Sequence, residues 1–242
     1  MGKNPGEGGR ALGDDRAEKM NGARMAPEMP ADHHGFIPSS AEELLRHRVK
    51  AELRKRMRGL RKALPASACA RRSESIVERL VGLEVVARAR TIALFWPIED
   101  RHEVDLRPLD AILRARGTRV AYPLLDPEVG AMDFCFVEDV ASLQPHTLGH
   151  REPASHDVKA VHGQIDVIVV PALAVDPRGQ RIGYGAGHYD RALAVHAPPS
   201  IGVAVVFDFQ LIADTPQTDG DVAVAWIVTD ARTLQCLSLI HI

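Results

Sequence analysis

Six short apolar runs in the last two thirds of the chain limit the folds open to this sequence more than any other feature. They are TIALFWP (91–97), TRVAYP (118–123), MDFCFVE (132–138), DVIVVPAL (166–173), IGVAVV (201–206) and AWIVTD (225–230). Several are continuous rather than alternating, which is typical of strands covered on both faces. Helical patterns separate some of them, from Leu106 to Arg116 and from about Gly187 to His196. The sequence therefore predicts an α/β fold: a three-layer α-β-α domain with a mainly parallel central sheet.

Two helices are predicted before the first strand. The first is capped by Ser39 or Ser40, begins at Ala41 and is ended by Pro65. Apolar residues recur along it every three to four positions, which predicts its inward face: Leu45, Val49, Leu53, Met57, Leu60 and Leu64. The second helix runs from about Ser67 to Leu83.

The remaining chain divides into two tails and one domain. Residues 1–40 are rich in Gly, Pro, Met and charge and have no apolar period, so a disordered tail is expected there. One domain should occupy 41–235, followed by a short tail over 236–242 that fits no element and is a candidate non-native extension. A net charge of -2 gives no general argument for a nucleic-acid or membrane partner. The three widely spaced cysteines fit neither a disulfide framework nor a zinc knuckle, and we expect a cytoplasmic protein.

A glycine-rich segment, RIGYGAGHYD, extends from Arg181 to Asp190 directly after the fourth apolar run. Its glycines stand at alternate positions: 183, 185 and 187. Backbone N–H groups in such a loop can converge on an anion, and the helix that follows adds the positive end of its dipole. Three nearby arginines are suited to phosphate oxygens: Arg178, Arg181 and Arg191. The spacing alone leaves a tight turn without a ligand as the lesser alternative, and it matches neither a Walker loop nor a dinucleotide fingerprint.

A wider stretch around this loop, PALAVDPRGQRIGYGAGHYDR, closely resembles the signature of 5-formyltetrahydrofolate cyclo-ligases, also called methenyltetrahydrofolate synthetases. The resemblance continues in family order over about residues 46 to 233. Its further segments are KAELR (50–54), PIEDRHEVDLRPL (97–109), GHREP (149–153) and GVAVVFDFQL (202–211).

The resemblance implies an ATP-dependent ligase that converts 5-formyltetrahydrofolate into 5,10-methenyltetrahydrofolate, ADP and phosphate, through a phosphorylated formyl intermediate. It implies Mg²⁺ as cofactor and a reduced folate as the small-molecule substrate. We expect a monomer without a nucleic-acid or membrane partner.

By the same resemblance, nucleotide-binding residues come from the first helix and the glycine-rich loop. They are Lys50, Arg54, Arg181, Ile182, Gly183, Tyr184, Gly185, Ala186, Gly187, His188 and Tyr189. Arg181 and Tyr184 are the expected catalytic residues. Lys50 and Arg54 are four apart and share a helix face, although a solvated basic face is the alternative because seven further cations surround them.

Magnesium and folate ligands are implied as well. Asp190 and Asp221 match the family's magnesium-binding acids, although Asp190 also suits the first turn of a helix. The folate would meet residues 184–188 and one acid of the 97–109 segment. Glu103 is favoured by position, while Asp105 remains a candidate that would serve equally well as a helix N-cap.

This sequence departs from the family pattern at Ala186, His188 and Ala225. Two other functions remain open at this point. One is a non-catalytic folate- or RNA-binding relative, and the other is an ATP-dependent enzyme for a different formylated or amide-bearing compound. Retention of the loop glycines, Lys50 and Asp190 favours the enzyme.

Overall fold

The computed structural model describes residues 40–126, 130–147, 149–154 and 157–236. Apart from Ser40 and Cys236, the two predicted tails lie outside these residues. The division of the chain into two tails and one domain therefore stays a prediction.

A seven-stranded sheet forms the centre of the described structure. The described residues form eleven strands in all, of which seven belong to this sheet. The strands are β1 Thr91–Ala93, β2 Arg119–Leu125, β3 Met132–Phe136, β4 Gln144–Pro145, β5 Arg151–Glu152, β6 Val167–Pro171, β7 Ala174–Val175, β8 Arg181–Ile182, β9 Ile201–Val205, β10 Trp226–Val228 and β11 Thr233–Gln235. The large sheet has the order β11-β10-β9-β6-β1-β2-β3, and β4–β5 and β7–β8 form separate two-stranded pairs. The five inner strands run parallel, whereas the edge strands β3 and β11 are antiparallel to their neighbours. The prediction of a mainly parallel sheet is confirmed.

Helices cover both faces of the sheet. They are α1 Ala41–Lys62, α2 Ala66–Gly82, α3 Glu84–Arg88, α4 Arg107–Ala115 and α5 His188–His196. One apolar cluster joins α2 and α4 to one face through residues that include Val167 and Val169 of β6. A second cluster joins α5 to the opposite face through Ile168 and Val170 of the same strand. Successive side chains of a strand point to opposite faces, so a continuous apolar run fills both layers at once.

Helix α1 begins as predicted, because the Ser40 side chain accepts a hydrogen bond from the Glu43 N–H at 3.2 Å. Its predicted apolar face is wrong at three of six positions, whereas Met57 is buried and Leu53 and Leu64 pack against apolar clusters. Leu45, Val49 and Leu60 are 60, 41 and 43% exposed, and the buried residues are Lys50, Met57 and Arg61. The apolar contacts of the helix are confined to a small cluster. In this cluster Met57 packs with Leu173, Ala174 and Ile182. The rest of the buried face is polar because it meets charged side chains.

The cysteines agree with the sequence-based expectation. Cys69, Cys135 and Cys236 are buried, and none forms a disulfide. Within the described part of the chain, no helix combines the length and apolar character needed to cross a bilayer.

Candidate active site

The predicted site residues collect at the carboxyl edge of the parallel sheet. Three neighbouring strands, β1, β6 and β9, end there and continue into the segments that carry Glu103, the glycine-rich loop and Asp221. Ligands of open α/β sheets commonly bind outside the carboxyl ends of the strands, where connections diverge. Helix α1 adds Lys50 and Arg54 from a separate part of the chain.

Left-handed backbone shapes the glycine-rich loop. Gly185 has φ +120° and Gly187 has φ +66°, conformations that are costly for residues with a side chain. Gly187 is also the N-cap of α5, so the loop delivers its backbone to a helix N-terminus. The Arg191 side chain braces the turn from one helical turn later and donates to the Ala186 carbonyl at 2.9 Å. Gly183 has no such conformational requirement, and a Cβ there would meet nothing within 4 Å.

A buried carboxylate that sequence reasoning missed, Asp176, fixes the segment before this loop. It is fully buried and accepts hydrogen bonds from the backbone N–H groups of Arg178 (2.9 Å) and Gln180 (3.2 Å). It also accepts from the N–H and hydroxyl of Thr215, at 3.1 and 3.0 Å. The Arg178 guanidinium pairs with Asp176 and Asp214. Arg178 therefore holds the turn together instead of facing the glycines.

Arg181 supplies a buried cation next to the glycine-rich loop. Its side chain is 2% exposed, and its Nη2 donates to Asp190 Oδ1 at 2.9 Å. The Nε–H group is buried and has no hydrogen-bond partner. Burial lowers the pKa of Arg181, and the charges of Asp190 and Asp221 oppose that effect. A buried donor without an acceptor is costly, so this group is suited to an anionic ligand.

Lys50 and Arg54 reach the same region from α1. The Lys50 ammonium forms a salt bridge with Asp221 and donates to the Thr218 hydroxyl at 2.6 Å, and its side chain is 5% exposed. Arg54 Nε donates to the Gly183 carbonyl at 3.1 Å. Burial is the largest cause that lowers the pKa of Arg54. The structure thus places Arg54 beside the loop and Lys50 beside Asp221, and the alternative of a solvated basic face does not describe Lys50.

The two predicted magnesium ligands, Asp190 and Asp221, are each engaged through one carboxylate oxygen. Asp190 Oδ1 accepts from Arg181 and from the Val222 N–H, while Asp221 Oδ2 accepts from Lys50 and the Thr218 N–H. The second oxygen of each acid has no hydrogen bond to any described residue. Two carboxylates suffice for Mg²⁺ when phosphate and water complete its shell, so this donor set fits the ion.

A second cluster surrounds Tyr184. Its hydroxyl donates to Glu103 Oε1 at 2.5 Å and accepts from Arg61 Nη2 at 2.5 Å. The Ile98 N–H donates to Glu103 Oε2 at 2.8 Å, and the Arg101 guanidinium lies 4.9 Å from the Tyr184 ring centroid. Burial and the Glu103 charge raise the pKa of Tyr184. The cluster is a buried carboxylate–hydroxyl–guanidinium network that can recognise planar N–H donors.

Arg61 is one of the seven cations around Lys50 and Arg54, and the solvated basic face predicted for them is wrong at this residue. It is 3% exposed and donates to the Arg101 carbonyl, with Nε at 2.9 Å. The signal was present in the sequence: Lys50, Arg54, Met57 and Arg61 are spaced by four, three and four, which places them on one helix face.

The two candidate folate acids occupy different surroundings. Glu103 is 8% exposed and joins the Tyr184 cluster. Asp105 accepts from the Arg107 N–H at 3.0 Å and pairs with the Arg107 side chain at 2.7 Å. The pKa of Asp105 is lowered because these bonds outweigh its partial burial. Asp105 is not the N-cap of α4, because Leu106 holds that position without a side-chain cap. Its carboxylate instead pairs with Arg107, the first residue of α4, and the structure brings only Glu103 to the Tyr184 cluster.

Comparison with known proteins identifies the family to which this arrangement belongs. The model of the 5-formyltetrahydrofolate cyclo-ligase family matches residues 46–230. The chain belongs to this family. A 5-formyltetrahydrofolate cyclo-ligase of Mycolicibacterium smegmatis is 32% identical over 196 residues, which cover 78% of this chain and 98% of that protein. The enzyme of the same name from Escherichia coli K12 is 30% identical over 182 residues, which cover 73% of this chain and 97% of that protein.

A solved structure supports the same assignment at the level of the fold. The 5,10-methenyltetrahydrofolate synthetase of Aquifex aeolicus superimposes with a TM-score of 0.69 at 28% identity, covering 80% of this chain and 96% of that one. The cyclo-ligase family assignment and the α/β fold read from the sequence are therefore confirmed, whereas the roles of individual residues stay predictions.

The departures from the family pattern are accommodated locally. Ala186 has a negative φ, so its methyl group brings no backbone strain. His188 Nδ1 lies 3.1 Å from the Gly130 carbonyl and 3.1 Å from Arg191 Nη2. Ala225 is exposed, and its backbone bonds to Gly202 and Cys236. None of the three changes removes a charge from the cation and carboxylate pairs described above.

A groove of about 790 Å³ lies away from this cyclo-ligase site, along the outer part of β2, β3 and the segment that follows. It contains none of the predicted site residues, and its lining includes Arg114, Arg119 and Asp157. The size of this groove therefore does not make it the candidate active site, because the predicted site residues lie at the carboxyl edge of the sheet.

Proposed function

We propose that the protein catalyses the ATP-dependent cyclisation of 5-formyltetrahydrofolate to 5,10-methenyltetrahydrofolate, with release of ADP and phosphate. Family membership supports the reaction. The single observation that carries its placement is Arg181, a buried guanidinium with an unpartnered Nε–H beside a glycine-rich helix N-terminus. An anionic oxygen, such as that of a transferred phosphate, would satisfy that donor.

The chemistry needs positioning and charge neutralisation more than a protein nucleophile. A formyl amide oxygen is a poor leaving group, so ATP phosphorylates it first. The neighbouring folate nitrogen then attacks the activated carbon, and the oxygen departs with phosphate. Such transfers depend on cations around the phosphoryl group and on alignment of the reacting atoms.

At the phosphate end, we assign Arg181, Lys50 and Arg54 to the phosphate oxygens. Arg181 pairs with Asp190 and Lys50 with Asp221, while Arg54 donates to the Gly183 carbonyl. When phosphate takes over these cations, the same two carboxylates become available to hold Mg²⁺. The ion would neutralise phosphate charge when bound.

At the substrate end, we assign Glu103 and Tyr184 to the folate. The Glu103 carboxylate accepts hydrogen bonds, which suits the amino and ring N–H groups of a pterin. Tyr184 links this end to the loop, because its hydroxyl meets Glu103 while its backbone belongs to the glycine-rich segment. Its position between the two ends suits a role in orienting the formyl group towards the phosphate.

The decisive experiment is a direct assay. Purified protein is incubated with 5-formyltetrahydrofolate and Mg-ATP while methenyl absorbance in the near ultraviolet is followed. We expect an ATP-dependent rise with one phosphate released per methenyl group formed, and its loss when Mg²⁺ is chelated. Folded protein that binds ATP but gives no signal would direct attention to another formylated substrate, and the proposal would be abandoned.

The alternative of an RNA-binding relative makes a different prediction. Two cations of α1, Lys50 and Arg61, are buried against the site and are withdrawn from any solvated basic face. Gel-shift titration with a mixed RNA pool should therefore show only weak, salt-sensitive binding. We further propose that the enzyme is cytoplasmic and monomeric. Light scattering in solution would check the monomeric state.

A further inference from the structure

Three metal-ligating side chains lie together on the β4–β5 hairpin, outside the phosphate and Tyr184 clusters. In the antiparallel register, Gln144 pairs with Glu152 and Pro145 with Arg151. The pairing continues to His146, whose N–H donates to the His150 carbonyl at 2.9 Å. Cross-strand partners and residues two apart share one face of a strand pair. His146, His150 and Glu152 therefore share one face.

The side chains converge as the register requires. The two imidazole rings are stacked with centroids 4.5 Å apart and an interplanar angle of 26°. His150 Nε2 lies 3.9 Å from Glu152 Oε2, and one donor atom from each of the three residues lies within 4.8 Å of the others. A tetrahedral ion with bonds of about 2.0–2.1 Å keeps its ligand atoms roughly 3.4 Å apart. Small side-chain rotations would close this set around an ion.

The hairpin backbone is held in place before any ion binds. The Gly149 N–H donates to the His146 carbonyl at 3.0 Å, and Gly149 has φ +90°, a conformation suited to glycine. Glu152 Oε2 also accepts from the Leu125 N–H of β2 at 3.4 Å. A pre-positioned ligand set loses less entropy on binding an ion than a flexible one does.

The chemistry of the donors selects the class of ion. Two imidazole nitrogens and one carboxylate suit borderline divalent ions such as Zn²⁺ or Co²⁺, whereas Mg²⁺ prefers an all-oxygen shell. We infer that His146, His150 and Glu152 form a transition-metal site, separate from the proposed magnesium ligands Asp190 and Asp221. Three protein ligands leave a fourth position for water.

The site would act on the neighbouring segment of the enzyme. A Cβ at Gly149 would lie 3.4 Å from the Ile98 side chain, and the Ile98 N–H holds Glu103 Oε2 at 2.8 Å. An ion that locks the hairpin would therefore restrain the segment that positions Glu103. The inference rests on the hairpin geometry and does not depend on the proposed reaction.

Metal binding itself tests the inference. Full-length protein without an added histidine tag is stripped of metal and titrated with ZnCl₂ by calorimetry, and with Co²⁺ by visible spectroscopy. We expect one ion per chain with the ligand-field bands of a tetrahedral Co²⁺ site. His150→Ala and His146→Ala should each weaken Zn²⁺ affinity by about 100-fold, and Glu152→Gln by about 10-fold.

Two controls separate this site from other histidines. His162→Ala, an exposed residue outside the hairpin, should leave the affinity unchanged. A His33→Ala/His34→Ala double variant should also retain the ion. Circular dichroism establishes that each variant is folded. The inference is overturned if wild-type protein binds Zn²⁺ only in the millimolar range, if folded His146→Ala and His150→Ala bind like wild type, or if the His33/His34 double variant loses the ion.

Discussion

The central sheet and helix α1 bury their residues for opposite reasons. In β6, four successive apolar residues lie at most 1% exposed and divide between two helical layers. In α1, the chain leaves Leu45 60% exposed and buries Lys50 and Arg61 instead. Hydrophobic transfer decides the orientation of the strands, whereas specific charged partners decide the orientation of the helix.

The difference indicates where stability and function reside in this molecule. Removing apolar atoms from the sheet layers opens a cavity and lowers the free energy of unfolding. The buried cations near α1 are different, because a buried ion pair contributes little net stability once desolvation is included. A role in binding a ligand explains the burial of these ion pairs better than a contribution to stability does.

Arg181→Met should cause the largest change. Removing a buried cation from the phosphate end is expected to lower kcat/KM by about 10³-fold, since charge stabilisation at a reacting group is commonly worth that much. The fold should survive, as shown by circular dichroism. Arg88→Met is the control: this arginine of α3 is exposed and pairs with Glu84 one helical turn away, so activity should stay near wild type. A wild-type rate for the Arg181 variant would contradict the site assignment.

Ile76→Ala and Leu45→Ala compare the two regions directly. Ile76 is fully buried against the sheet, so its truncation should lower the free energy of unfolding by about 2–5 kcal/mol. Leu45 is apolar but exposed, and its truncation should change that free energy by no more than about 0.5 kcal/mol. Urea unfolding measures both. Equal losses would mean that the apolar face of α1 is buried in solution.

Glu103→Gln and Asp105→Asn separate the two candidate folate acids. Loss of the Glu103 charge should raise the KM for 5-formyltetrahydrofolate by about 10–100-fold, the usual range for a hydrogen bond to a charged group. Asp105→Asn should leave that KM unchanged, because its carboxylate serves Arg107. Steady-state kinetics at saturating ATP decides between them. A larger effect at Asp105 would reverse the assignment.

His196→Phe should have the smallest effect, visible only as a pH dependence. His196 is 5% exposed against Phe134, and burial lowers its pKa from the ordinary value of 6.5. The unfolded chain therefore takes up a proton first as the pH falls below about 6.5, and His196 makes the folded state lose stability from there downwards. When thermal unfolding is measured from pH 8 to pH 5, the Tm of the variant should fall less steeply than that of the wild-type protein. Parallel curves would show that His196 does not titrate differently in the folded state.

Much of the site could be foreseen because its groups are local in sequence. The loop glycines and Arg181 stand within one short segment, and Lys50 and Arg54 share one helical face. The burial of Asp176 and of Arg61 does not follow from a local pattern, even though spacing puts Arg61 on the helix face of Lys50 and Arg54. The first acts through Thr215 and the second through Tyr184 and Glu103, contacts that join segments far apart along the chain. A sequence pattern reports periodicity and cannot report which distant partner neutralises a charge.

The sequence by itself determined the α/β class, the positions of six of the seven strands of the central sheet and the family, because apolar runs and a motif with fixed spacing are properties of the chain. The tertiary structure decided which face of α1 is buried, and it brought Glu103 to Tyr184, 81 residues away along the chain. Those outcomes depend on the balance between desolvation and specific pairing. That balance is set only when the carboxyl edge of the sheet and α1 meet in space.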